Sequence, residues 1–212
     1  MTQNNLGGVF DDQAERAEGA EAFPLAEGTE AASLFAEAIH AYRQALTVFT
    51  REQEPQHWAM TQHNLGSTLN NQALRTKSAE AAPLFAEAVH AYRQALTVRT
   101  QKQSPHEWAM TQHNLGSTLS DQAARESAKA EAIRLFAEAR QAYRQALTVR
   151  TREQLPHEWA MTQNNLGLTL RDQAARAEGA EATGLFTDAV HAHRQALTVF
   201  TREQQPQQWA TI

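Results

Sequence analysis

The stretch Trp58–Leu69, WAMTQHNLGSTL, is spelled again letter for letter at Trp108–Leu119. A third version, WAMTQNNLGLTL, runs from Trp159 to Leu170, and the opening MTQNNLGGVF carries the same core. Trp58, Trp108, Trp159 and Trp209 lie 50, 51 and 50 residues apart, and Pro55, Pro105, Pro156 and Pro206 keep the same steps. A period held along nearly the whole chain marks a stack of like supersecondary pieces, each too small to bury its apolar face alone.

Each repeat reads as two helices. The first opens at proline, which suits the first helical position. In SPHE (Ser104–Glu107) the serine is expected to cap the orphan N–H groups, with Glu107 completing a capping box. Trp108, Leu115 and Leu119 then share one face at helical spacing. The second helix carries Phe85, Ala88, Tyr92, Ala95, Leu96 and Arg99 at spacings of three and four, and stops before the next proline. The abundance of Ala, Leu, Gln, Glu and Arg favours helix throughout. The spacing predicts lengths of about 20 and 25 residues, or about 30 and 37 Å.

The repeats divide the chain, as one array over 1–212, into 1–54, 55–104, 105–155, 156–205 and the start of a fifth first helix at 206–212. In the first, AEGAEAFPL (17–25) is followed at once by AEGTEAASL (26–34), a tandem duplication. An insertion between two helices costs little closure entropy, and Pro24 argues against one unbroken helix. An exposed loop near 17–34 is therefore expected.

These residues resemble the tetratricopeptide repeat (TPR) family, which places Leu-Gly and a large residue in the first helix and Ala, an aromatic and Ala in the second. The matches are Leu6, Gly7, Phe10, Ala38, Tyr42 and Ala45; Leu65, Gly66, Leu69, Ala88, Tyr92 and Ala95; Leu115, Gly116, Leu119, Ala139, Tyr143 and Ala146; and Leu166, Gly167, Leu170, Ala189, His193 and Ala196. His193 departs from the aromatic. The family's usual period is 34 residues, so these repeats are an enlarged variant of about 50. The resemblance implies an all-α fold, an α-solenoid of about four stacked long helix-turn-helix pieces forming a right-handed superhelix. Small residues let the helices approach while the aromatic fills the gap. Trp58, Trp108, Trp159 and Trp209 are expected to pack between repeats, burying roughly 150–250 Å² each.

In arrays of this kind the first helices line a concave groove. The resemblance places there Asn5, Asn64, Asn114 and Asn165, just before the leucine, with Asn4, His63, His113 and Asn164 one residue earlier. Asn71, Asp121 and Asp172 follow further along. An amide both donates and accepts, so it can satisfy the N–H and C=O of one peptide residue. Each bond is worth only about 1 kcal/mol net, so capture needs several repeats. The alternative is that each asparagine simply ties neighbouring helices. Lysine is missing from these positions, which disfavours the family's carboxylate clamp; Arg171 is the lone cation among Asp11, Asp12, Asp121 and Asp172. A neutral or basic extended protein segment is the expected partner.

Other classes recede. With a net charge of −5 and no cationic run, nucleic acid is a poor partner. No apolar run reaches the roughly 20 residues a membrane span requires, and the first residues lack a secretion signal; a cytoplasmic protein is expected. Absence of cysteine removes disulfides, thiolate catalysis and Cys-ligated zinc. HEWAM at His106 and His157 starts like HExxH but lacks the second histidine. No catalytic residue, metal or cofactor is expected. Repeated Arg43, Arg93, Arg144 and Arg194 are placed on a solvated face. A second reading is head-to-tail self-assembly, because QPQQWATI matches the turn that the first repeat lacks. A third is a regulatory piece of a larger bacterial signalling protein.

Overall fold

The computed structural model describes residues 3–20 and 30–212. Among these there is no strand, and the helices are α1 (Gln3–Ala20), α2 (Glu30–Val48), α3 (Pro55–Arg75), α4 (Ser78–Leu96), α5 (Pro105–Arg125), α6 (Lys129–Leu147), α7 (Pro156–Ala174), α8 (Gly179–Ala196) and the short α9 (Pro206–Ala210). Consecutive helices pair as hairpins, α1 with α2, α3 with α4, α5 with α6 and α7 with α8. The chain divides into two compact units, Met1–Arg99 and Thr100–Ile212. Within the first, α3 also packs on α2 and α1; within the second, α7 also packs on α6 and α5. Each unit is thus a stack of helical hairpins added in sequence order. The duplicated segment 17–34, expected as an exposed loop, is helical at both ends, with 17–20 closing α1 and 30–34 opening α2, and its centre, 21–29, is outside the described residues.

The glycine of each Leu-Gly pair explains how closely a hairpin closes. A Cβ on Gly66 would meet the Tyr92 ring at 3.0 Å, and one on Gly116 would meet Tyr143 at 3.0 Å. Tyr42, Tyr92 and Tyr143 are at most 2% exposed, so the ring fills the space that the missing side chain leaves. His193 takes the same place over Gly167, at 2.8 Å. Two turns earlier on the second helices, Phe35, Phe85 and Phe136 are at most 1% exposed, each ring contributing roughly 1.5–3 kcal/mol through burial.

Thr61, Thr68, Thr111, Thr162 and Thr169 sit on the first helices at no more than 1% exposure. Their hydroxyls donate to the carbonyl four residues back, at 2.8, 3.1, 2.7, 2.7 and 2.9 Å, so a polar group enters the core without losing its bond.

The connections differ from the sequence reading in two ways. The second helices run to 19 residues in α4 and α6, shorter than expected. Thr97 and Thr148 turn their hydroxyls onto the carbonyls of Gln94 and Gln145, both at 2.7 Å. A short turn then follows, in which Thr100 Oγ1 accepts from the Gln103 N–H at 3.2 Å and Thr151 Oγ1 from Gln154 at 3.2 Å. The expected capping box at Ser104 is also not formed. Ser104 makes no side-chain cap; its carbonyl accepts from the Trp108 N–H at 2.8 Å, with Pro105 at the first position supplying no N–H to be capped.

Candidate functional site

Successive first helices stand side by side within each unit, and the polar face they share is the candidate site. In the second unit α5 and α7 form a cleft of about 330 Å³. Ser117, Ser120 and Asp121 line it from α5, and Asn165, Leu168, Thr169, Arg171 and Asp172 from α7. Tyr143 of α6 reaches its floor, with its hydroxyl 2.9 Å from Ser117 Oγ. Ser120 Oγ lies 3.0 Å from Thr169 Oγ1, joining the two walls. Burial holds the Tyr143 phenol above its usual range; the Ser117 bond opposes this, and the Asp121 carboxylate adds to it. Arg171 pairs with the adjacent Asp172, Nε donating to Oδ1 at 2.9 Å.

The first unit repeats this chemistry around Tyr42. Its phenol is likewise raised, chiefly by burial and then by Asp11 and Asp12 of α1, while a bond with Thr68 of α3 lowers it. In both units a phenol hydroxyl from the second helix thus sits beneath carboxylates of the first helices.

Residues one helical position away are not on this face. Asn4, His63 and His113, assigned to the groove from the sequence, are each 6% exposed and lie in the interior. The single Thr61 hydroxyl proton is shared between the His57 carbonyl and Asn4 Oδ1, 3.0 Å away, which ties α1 to α3. His63 meets Tyr92 edge-on at 5.4 Å, and His113 meets Tyr143 at 5.5 Å. The Thr162 hydroxyl donates to the Glu158 carbonyl at 2.7 Å. It therefore accepts from both Arg150 Nη1 and His113 Nδ1, each at 3.0 Å, which puts the imidazole proton on Nδ1. Burial, and then the neighbouring Arg99 or Arg150, depress His63 and His113 to about 3. Both rings are neutral packing groups at neutral pH. Asn164 is half-buried, with Oδ1 3.0 Å from His193 Nδ1.

Of the other predicted positions, Asp121, Asn165 and Asp172 converge in the α5–α7 cleft. Asn5 is exposed on α1, while Asn64 and Asn71 on α3 and Asn114 on α5 are half-buried. Sequence reasoning passed over Ser117, Leu168, Thr169 and the Tyr143 hydroxyl. Ser117 and Leu168 stand three residues beyond Asn114 and Asn165, a spacing that shares a helix face.

The tryptophans divide. Trp159 is 9% exposed and clusters with Ala196 and Phe200 of its own hairpin and Leu147 of the preceding one. Trp108 is also 9% exposed. Trp58 is half-buried under Arg51, whose guanidinium is 6.0 Å from the ring. Trp209 is 41% exposed beneath Arg202 at 5.6 Å. Arg43 is exposed and bonds Glu87 at 2.6 Å, linking α2 to α4.

Fold and site together define an all-α array of repeated helical hairpins with a polar face on its first helices. No protein-family model and no curated protein matches the chain.

Proposed function

We propose that the protein is a non-enzymatic scaffold of the TPR type that holds an extended peptide segment, neutral or basic, against the polar faces of its first helices. The observation that carries this reading is the α5–α7 cleft, where seven polar side chains from two consecutive repeats meet over one buried phenol. At about 330 Å³ it stands at the lower edge of the roughly 300–1,000 Å³ typical of small-molecule pockets, which are mostly apolar. Its size and polarity suit a peptide unit or one polar side chain. Asn165 offers a donor and an acceptor to a passing backbone. Asp121 and Asp172 outnumber Arg171, and Asp11 and Asp12 repeat the bias beside Tyr42, which favours a segment bearing Lys or Arg.

Fluorescence anisotropy with two labelled pools of unstructured peptides, one rich in Lys and Arg and one rich in Asp and Glu, tests the reading. The basic pool is expected to bind the more tightly. Asn165→Ala should weaken it about five-fold, corresponding to one hydrogen bond of about 1 kcal/mol, with the helical circular dichroism retained. Equal binding of both pools, or capture indifferent to Asn165→Ala, would sink it.

A further inference from the structure

The hairpins copy one another closely enough that any surface of one can be compared with the same surface of the next. Phe35, Phe85 and Phe136 hold one register position on α2, α4 and α6, each sealed from solvent. Over Phe35 and Phe136 lies an arginine from the following hairpin, Arg75 at 5.0 Å and Arg176 at 5.7 Å. One turn onward on α2, Ile39 packs with Leu65 and Leu69 of α3. On α8 these two positions are Phe186 and Val190, and they are 46% and 48% exposed. With Thr183, Thr187, His191 and Arg194 they border an open depression of about 500 Å³.

The complementary surface is on α1 and α2. Leu65 and Leu69 in α3, and Leu166 and Leu170 in α7, are at most 8% exposed because they pack on the second helix of the preceding hairpin. Leu6 and Phe10 hold those positions in α1 and are only half-buried. Together with Ala36, Glu37, His40 and Ala41 they wall an open groove of about 450 Å³. Charge matches as well as shape. Within the first unit Arg43 of α2 pairs with Glu87 of α4 at 2.6 Å. The equivalents of these residues are Arg194, beside Phe186, and Glu37, in the α1–α2 groove.

We propose that the Phe186–Val190 face of α8 docks into the α1–α2 groove of a second copy of this chain, as one hairpin adds to the next within each unit. Exposed apolar side chains at positions that are otherwise sealed mark an interaction surface. The contact joins two different surfaces, so it is heterologous and extends by repetition. It needs no ligand on the polar cleft and is independent of the peptide-binding reading.

Sedimentation velocity from micromolar to millimolar concentration tests it. The full chain is expected to grow in mass with concentration. Phe186→Glu, which spoils the α8 face, and Ala36→Arg, which blocks the groove, each alter an exposed residue; each alone should be monomeric with unchanged helical circular dichroism. Mixed, they retain one intact face of each kind and should form a one-to-one dimer that grows no further. A chain monomeric throughout, association surviving either substitution, or a mixture that stays monomeric overturns the proposal.

Discussion

Replacing Gly116 by alanine sets two opposed effects against each other. Alanine in a helix interior is favoured over glycine by about 1 kcal/mol. The new Cβ, however, would stand 3.0 Å from Cδ1 and Cε1 of Tyr143 and 3.1 Å from Cζ. That ring is 1% exposed and its hydroxyl is tethered to Ser117 at 2.9 Å, so it has little room to withdraw. Overpacking of this kind costs roughly 1–3 kcal/mol, and a displaced phenol puts the Ser117 bond, about 1 kcal/mol, at risk. The net expectation is a loss of about 1–3 kcal/mol, or about 2–4 °C in melting temperature for each kcal/mol in a chain of this size. Gly184 in α8 supplies the control, because a Cβ there meets nothing within 4 Å. Gly184→Ala should show the propensity gain alone and raise the melting temperature by about 2–4 °C. Thermal unfolding followed by circular dichroism reads both. If Gly116→Ala stabilises as Gly184→Ala does, the ring has slack and the close approach is not what fixes the hairpin.

Acid should destabilise the fold through its interior histidines. His63 and His113 titrate near 3 when folded and near 6.5 when unfolded. Between these values the unfolded chain binds protons that the folded one refuses, so stability rises with pH across the window and is complete above about 6.5, at about 1.4 kcal/mol per pH unit for each proton. Urea melts of His113→Gln across that window should show a slope lower by one proton; an unchanged slope would remove His113 as a source. Thr162→Val keeps the shape but takes the acceptor from Arg150 and His113, and should cost about 1–3 kcal/mol in chemical denaturation, with Thr162→Ser restoring most of it. Asp121→Asn with Asp172→Asn should weaken basic-peptide binding several-fold at low salt, by roughly 0.2–1 kcal/mol per exposed charge. The difference should shrink as salt rises; anisotropy titrations at two ionic strengths check it.

The hairpins were legible because their signals are local and repeated. Proline opens each first helix, Leu-Gly meets an aromatic, and the period recurs along the chain. The groove was half legible. Seven residues make nearly two helical turns, so Asn165 and Asp172 share a face, whereas adjacent residues diverge by about 100°. Asn64 and His63 therefore point to different neighbours, and His63 turns inward. Which of two adjacent polar residues faces the interior depends on partners in other helices, such as Tyr92 beside His63. The absent cap at Ser104 and the early end of the second helices were hidden for a similar reason. Threonines with several possible acceptors choose among them only once the chain is folded. Phe186 reads like Phe35, Phe85 and Phe136 in sequence, and its exposure follows from what lies over it.

The repeats agree where a side chain's partner lies in a neighbouring helix; in the cleft they keep Asp121 and Asp172 but change at two other positions. Gly66 and Gly116 face the tyrosines, and the buried threonines keep their places. At the cleft positions Ser120 is matched by Arg171 and Ser117 by Leu168. Interior changes come in pairs instead. Where the first helix has His113, the following turn has Arg150, and both reach Thr162. Where it has Asn4, the equivalent of Arg150 is Phe49, which stacks on His57 at 5.1 Å, and Thr61 contacts Asn4. A buried position changes only with its partner, because either residue alone would strand a polar group. The two changed cleft serines bond Thr169 and the Tyr143 hydroxyl, but both are only half-buried, where water can replace a lost partner. Those two positions vary from repeat to repeat within one stack, which supports the proposed capture of an extended segment on this face.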